Sequence, residues 1–121
     1  MADSGIELTR DACINVKEGL SRVRDNKKLY KRMLGMFLDN GEFTALEEYL
    51  AQKDFEKAAD SAHAIKGMTG NLSLTAVFDM STQMMTDLRH GITSDESEAA
   101  FREAYAKTRA YVEEVIAEIG D

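Results

Sequence analysis

The chain has 121 residues, a net charge of −7 at neutral pH, and neither proline nor tryptophan. Its acidity excludes a general affinity for nucleic acid, because negative side chains repel phosphate backbones. No apolar run approaches the roughly 20 residues that cross a bilayer, so no membrane partner is expected. The lone Cys13 cannot form an intramolecular disulfide, which favours a cytoplasmic location.

The N-terminal part of the chain reads as short helices separated by capping residues. Residues 1–14 carry little pattern beyond three aliphatic candidate anchors, which are Ile6, Leu8 and Ile14. Asn15 and Glu18 have the spacing of a capping box. They predict a short helix from Val16 to about Arg24, and its buried side chains would be Leu20 and Val23.

Two further helices are predicted before residue 53. Asn26 suits the N-cap of the first one, and its apolar residues recur at the spacing of one helical face. That face consists of Leu29, Met33, Met36 and Phe37. The Asn40–Gly41 pair predicts a break. Helical spacing then resumes up to about Gln52, through Phe43, Leu46 and Leu50.

A long helix is predicted next, because Asp54 suits an N-cap and the helical pattern continues to about Leu72. Its apolar positions share one face, which consists of Phe55, Ala58, Ala62, Ile65, Thr69 and Leu72. Ser73 or Thr75 is predicted to start the following helix. That helix would bury Val77, Ser81, Met84 and Leu88.

The helix ends at His90–Gly91, because a basic residue in the last turn and a glycine just after it both favour termination. Thr93 and Glu96 have the spacing of a second capping box and predict the start of the last helix. Gly120 is predicted to end it. The buried face of this helix would comprise Phe101, Ala104, Tyr105, Thr108, Val112, Val115 and Ile119.

These segments predict an all-α fold. Because the connections are short, neighbouring helices should run antiparallel in an up-down four-helix bundle with one or two short N-terminal helices. Residues 1–121 fit a single domain. The initial Met1 suggests a stand-alone protein, but a domain excised from a larger sensor would have much the same sequence. Since nothing in the sequence requires a dimer, a monomer is expected.

The stretch around His63 departs from an ordinary amphipathic pattern. At 100° per residue, His63, Lys66, Gly67 and Gly70 lie nearly opposite the core face, with Ala59 one turn earlier. Each glycine inside a helix costs roughly 0.5–1 kcal/mol relative to alanine. Either another helix of the chain packs closely on these glycines, or they leave room for another protein to approach the imidazole. The second interpretation is favoured, because the opposite face already supplies the core.

His63 is the one side chain here suited to nucleophilic chemistry near neutral pH. Lys66, one turn further along, can offset the charge of a phosphoryl group on the ring. Asn71 could add a hydrogen bond or cap the helix. The chain has no Gly-rich phosphate-binding loop and no kinase motif, so ATP binding is not expected. A phosphoryl group would have to arrive from one protein and leave to another.

At these residues the chain resembles the histidine phosphotransfer (HPt) domains of multistep phosphorelays in two-component signalling. The family motif is a helix with Ala-His-x-x-Lys-Gly-x-x-Gly, and residues 62–70 read AHAIKGMTG. Asn71-Leu72 and the upstream residues 15–20, NVKEGL, also fit the family. The resemblance covers residues 15–121 and leaves residues 1–14 as an N-terminal extension. One departure is Ser73, where many members have glycine.

The resemblance implies that His63 is phosphorylated and that Lys66 supports the phosphoryl group. The docking face for the partner would comprise Ala59, Gly67, Gly70 and Asn71. The partners implied are receiver domains of response regulators or of hybrid sensor histidine kinases, whose phospho-aspartate exchanges its phosphoryl group with His63. The resemblance implies a carrier with no kinase activity, no cofactor and no metal.

Two questions stay open at this point. One is whether the chain carries phosphate or is an HPt-like module that only docks a receiver. The other concerns the cations Lys27, Lys28, Lys31 and Arg32, which form either a solvated helix face or a patch that steers an acidic receiver surface. A haem site is disfavoured by the lack of a Cys-x-x-Cys-His motif, and a zinc site would need more His or Cys than the chain has.

Overall fold

A computed structural model describes residues 8–120, which form seven helices and no strand. The helices are α1 (Arg10–Cys13), α2 (Val16–Ser21), α3 (Lys27–Asp39), α4 (Glu42–Ala51), α5 (Phe55–Leu72), α6 (Thr75–Arg89) and α7 (Asp95–Ile119). The all-α prediction is therefore confirmed. Of the candidate N-terminal anchors, Ile14 is buried and Leu8 packs against the core, whereas Ile6 lies outside the described residues.

Side-chain caps set three helix starts where the sequence predicts them. The side chains of Asn15, Asn26 and Asp54 each accept a hydrogen bond from the backbone N–H three residues further on, at 3.0, 3.0 and 3.2 Å. Each bond satisfies an N–H group that has no partner inside its helix. The starts of α2, α3 and α5 therefore follow from local sequence.

The predicted end of α2 is wrong. The helix stops at Ser21 rather than near Arg24, because Arg24 and Asp25 both have positive φ angles, of 55° and 60°. The N–H groups of Val23 and Asp25 both bond to the carbonyl of Leu20, which closes a tight turn instead of another helical turn.

The predicted cap of α7 is also wrong, by one residue. Ser94 is the N-cap, and its hydroxyl accepts from the N–H of Ser97, while the Ser97 hydroxyl accepts from the N–H of Ser94. Thr93 makes a different bond, since its hydroxyl donates to the carboxylate of Glu98 at 2.8 Å. Serine and threonine both occur at N-caps, and the Thr93–Glu96 spacing fits a capping box, so spacing alone favours the wrong residue.

α5 lies at the centre of the bundle, because it contacts α2, α3, α4 and α6. α7 is the longest helix and contacts α1, α3 and α6. Connections of two to five residues join α4 to α5, α5 to α6 and α6 to α7. These consecutive, packed helices therefore run antiparallel, as the prediction of an up-down bundle requires.

The predicted core faces of α6 and α7 are confirmed, except that Ile119 is only half-buried. Four aromatic rings extend this core across α3, α4 and α7. The closest pair is Phe43 and Tyr105, with ring centroids 4.3 Å apart, and Phe37 lies 5.4 Å from Tyr105. Each stacked or tilted pair at such a distance stabilises the fold by about 0.5–1.5 kcal/mol beyond the contribution of the area that it buries.

The predicted core face of α3 is rotated relative to the observed one. Tyr30, Leu34 and Phe37 are buried, whereas Met36 is 65% exposed. The reason is a partner for the tyrosine hydroxyl, which donates to the carbonyl of Leu72 at 2.9 Å. A buried tyrosine is favourable when its polar end is satisfied in this way. The same bond ties α3 to the C-terminal end of α5.

Gly19 makes room for that tyrosine. A Cβ atom at this position would lie under 3.0 Å from three atoms of the Tyr30 phenol, and the ring is fully buried. We expect Gly19→Ala to destabilise the protein by about 1–3 kcal/mol, as overpacked cores generally do. Urea unfolding measures the change.

Gly35→Ala is the matched control, because a Cβ there meets nothing within 4 Å. It should stabilise the protein by about 0.5–1 kcal/mol, which is the ordinary helix preference for alanine over glycine. The packing account of Gly19 would be contradicted if both substitutions changed the free energy of unfolding in the same direction.

Burial raises the pKa of Tyr30 to about 12 from its ordinary value of 10.0, and it also raises the pKa of Tyr105. The folded protein holds these protons more tightly than the unfolded chain does. The resulting stabilisation is complete below pH 10 and is lost as the pH rises through 10 towards 12. We expect the urea midpoint of unfolding to fall as the pH rises from 10 towards 12, and to fall less in the Tyr30→Phe variant. Equal pH dependence in both proteins would contradict this account.

Candidate functional site

The placement of α5 determines where its polar residues point. Its predicted core face is confirmed, since all of it is buried except Phe55, which is half-buried. The helix begins at its Asp54 cap and ends where Ser73 adopts a left-handed conformation. With one face fixed in the core along its whole length, the opposite face meets solvent.

His63 is exposed on that outer face, and Gly67 and Asn71 follow it at intervals of one turn. The imidazole lines an open cavity of about 560 Å³, together with Lys66 and Gly70. Residues from two other parts of the chain also line it. They are Glu18 of α2, Arg22 just after that helix, and Thr75, Phe78 and Asp79 of α6.

The head groups of His63 and Lys66 are uncommitted within residues 8–120. No ion pair in that range includes either residue, and no side-chain hydrogen bond there holds the imidazole or the ammonium group. Lys66 is half-buried, so its stem is partly fixed while its charge stays accessible. Both groups can therefore engage a group that enters the cavity from outside.

The two glycines of the motif have different surroundings. A Cβ at Gly67 would meet nothing within 4 Å, so no intramolecular contact requires glycine there. A Cβ at Gly70 would lie 3.0 and 3.1 Å from two atoms of the Phe78 ring. Close packing by α6 therefore accounts for Gly70, and open space for an approaching molecule accounts only for Gly67.

The assignment of Ala59 to the exposed face is wrong. Ala59 is 1% exposed and belongs to the hydrophobic core. It lies 40° from His63 around the helix, on the side nearer the core face, and neighbouring helices cover α5 at this level. The exposed face of α5 therefore excludes Ala59, and before His63 it consists of Glu56 and Asp60.

The sequence does not predict that residues of α2 and the turn after it contribute to this site. Ser73 has a φ of 59° and is 3% exposed, at the corner between α5 and α6. Its hydroxyl accepts a hydrogen bond from Arg22 Nε at 3.1 Å and donates to Glu18 Oε1 at 2.8 Å. These bonds offset the cost of a left-handed serine where the resembling family often has glycine. The one local feature of the sequence in this region is the Asn15–Glu18 pair, which predicts a helix cap and not a contact with Ser73.

An apolar groove borders the same exposed face on its other side. Asn71 and Leu72 line it together with three methionines, which are Met33 and Met36 of α3 and Met68 of α5. Asn71 lines both this methionine groove and the His63 cavity. The two surfaces are therefore continuous across α5.

The structure does not bring the basic residues of α3 into the His63 cavity. Lys28, Lys31 and Arg32 line a separate surface with Gly35 and Ile116, which we term the basic groove. The Lys31 ammonium group donates to the carbonyl of Gly120. Lys27 is exposed in the first turn of α3.

The second histidine has a structural environment. His90 is the C-cap of α6, and its Nδ1 lies 2.9 Å from the carbonyl oxygen of Thr86. Within residues 8–120, no group of three or more His, Cys, Asp or Glu side chains is arranged to hold a metal ion. No helix in that same range is long and apolar enough to cross a membrane.

A protein-family model described as the Hpt domain matches residues 32–118 of the chain. This match includes the whole of α4, α5 and α6 and most of α3 and α7. No curated protein and no solved structure matches the chain.

Proposed function

The chain belongs to the Hpt domain family of histidine phosphotransfer modules, and we propose that His63 is the residue that carries its phosphoryl group. The observation that carries this proposal is an exposed imidazole flanked by an accessible lysine and an open glycine on one helix face. Hpt domains are phosphocarriers rather than kinases, so the phosphoryl group is supplied by a partner protein.

The proposed reaction exchanges a phosphoryl group between two carriers. An unprotonated ring nitrogen of His63 attacks the phosphorus of an aspartyl phosphate. The N–P bond forms as the acyl-phosphate O–P bond breaks, and the aspartate leaves as a carboxylate. The same steps in reverse pass the group to the aspartate of a second protein. Such transfers depend mainly on positioning and charge stabilisation, which suits a site with few chemical groups.

The proposed partners are receiver domains of response regulators or of hybrid sensor histidine kinases, which Hpt domains serve. The exposed face of α5 from His63 to Asn71 is continuous with the methionine groove, where Met36 is 65% exposed. A flexible, apolar methionine surface suits a protein partner. This continuity supports a single docking footprint that spans α5 and α3.

The proposed setting is the cytoplasm, with the protein acting as a monomer. The single cysteine supports this setting, because Cys13 is fully buried in α1 and has no second cysteine to pair with. The fold therefore contains no intramolecular disulfide that a reducing compartment would break.

The competing proposal is a module that docks a receiver without accepting phosphate. A panel of receiver domains carrying radiolabelled aspartyl phosphate separates the two. We expect label on this protein that is labile in acid and stable in base, as an N–P bond is. Receiver binding without any transfer of label across the panel would favour the docking module and overturn the carrier.

Lys66 is proposed to stabilise the phosphoryl group on His63. Lys66→Ala should shorten the lifetime of the phosphorylated form and slow transfer by about fivefold, since a partly exposed ion pair contributes up to about 1 kcal/mol. Lys66→Arg is the matched control, because it keeps the positive charge at the same position. The proposal fails if Lys66→Ala leaves both the lifetime and the rate unchanged.

A further inference from the structure

Four glycines lie within helices in the described part of the chain. At two of them, no contact inside the molecule requires glycine. Gly19 accommodates Tyr30, and Gly70 accommodates Phe78. Gly35 and Gly67 would each hold a Cβ with nothing within 4 Å. Each therefore lowers the stability of its helix relative to alanine, and no contact inside the molecule compensates for the loss. Gly67 lies beside His63, whereas Gly35 lies in the basic groove.

The basic groove combines positive charge with an apolar floor. Lys28 and Arg32 are one turn apart on α3, and within residues 8–120 no carboxylate pairs with either of them. Leu29 and Ile116, both half-buried, supply aliphatic surface in the same groove. The missing side chain at Gly35 leaves this floor uncovered.

The charge of this region is opposite to that of the rest of the chain. Residues 22–32 contain six cations and one carboxylate, a net charge of +5. Since the whole chain carries −7, the other residues carry −12. A long nucleic acid or a membrane surface would meet that surrounding negative charge, whereas a short acidic segment would meet only the groove.

We propose that the basic groove is a second interaction surface, and that it binds an amphipathic protein segment with acidic side chains on one face and aliphatic side chains on the other. The carboxylates pair with Lys28 and Arg32. The aliphatic side chains rest on Ile116 and in the space left at Gly35. This surface is distinct from the His63 cavity, with which it shares no lining residue.

The test uses a short fluorescein-labelled amphipathic peptide with glutamates on one helical face and leucines on the other. A peptide with glutamine in place of glutamate is its control. Binding is followed by fluorescence anisotropy and by amide chemical shifts of the intact protein.

The groove variants are Lys28→Glu with Arg32→Glu, which reverses the charge, and Gly35→Gln, which fills the floor but keeps the charge. Arg89→Glu with Lys107→Glu makes the same charge change on other helices.

We expect the dissociation constant to rise about tenfold or more in both groove variants and to stay unchanged in the control variant. The largest shifts should fall on Gly35 and Ile116. The proposal is overturned if the peptide does not bind, or if the control variant loses as much affinity. Tighter binding of an oligonucleotide or of phosphatidylserine vesicles through Lys28 and Arg32 would overturn it as well. His63→Gln should leave peptide binding intact, so this proposal and the phosphocarrier proposal fail separately.

Discussion

The His63→Gln variant is expected to lose all phosphoryl transfer and still bind a receiver domain. Glutamine is polar and of similar length, but its amide nitrogen is not a nucleophile. Because His63 is exposed, and no ion pair within residues 8–120 includes it, the substitution should leave the fold intact. Label transfer from a phosphorylated receiver and binding of the unphosphorylated receiver are measured on the same preparation.

His90→Gln is the matched control, since His90 is the only other histidine in the chain. It lies at the end of α6, where it interacts with the Thr86 carbonyl rather than with the His63 cavity. Transfer should therefore be normal in this variant. Residual transfer in His63→Gln, or equal loss in His90→Gln, would show that the carrier residue has been assigned incorrectly.

A side chain at position 67 is expected to block docking of the partner protein and to leave the reactivity of the His63 imidazole unchanged. Gly67→Leu should slow transfer from a receiver on the order of 100-fold, because small displacements from the reactive geometry have effects of that size. The leucine would project from the exposed face of α5 one turn from His63, into space that is now empty. The thermal midpoint should not fall, since no neighbour has to move.

Phosphoramidate distinguishes blocked docking from a damaged imidazole, because this small donor reaches an exposed ring without a docked protein. Gly67→Leu should accept phosphate from phosphoramidate at the wild-type rate. Gly67→Ala should raise the free energy of unfolding by about 0.5–1 kcal/mol and slow receiver transfer less than leucine does. A leucine variant that transfers normally from a receiver would remove the functional reason for Gly67.

Local signals were sufficient to predict α5 and most of its surroundings. An N-cap at Asp54, an unbroken apolar face and the exposed position of His63 all depend on residues within a few turns of one another. Such short-range features are readable from one sequence. The family match over residues 32–118 agrees with the motif at residues 62–70.

The errors arose where a distant residue decides the outcome. The face of α3 is set by the bond from Tyr30 to Leu72, 42 residues away in the chain. Ala59 is covered by packing that helical periodicity does not encode, and Gly70 is explained by a ring of α6. Glu18 and Arg22 at the His63 cavity likewise depend on bonds to Ser73 that span more than 50 residues. Helical periodicity predicts the apolar face of a helix. Only tertiary contacts decide which residues beside that face stay exposed to solvent.

The carrier residue is identified most directly by locating the phosphate after transfer from a receiver domain. The protein is digested and sequenced by tandem mass spectrometry at neutral to alkaline pH, where an N–P bond survives. We expect phosphate on the imidazole of His63 and on no other residue. Phosphate on His90, or on an aspartate or serine of the chain, would contradict it.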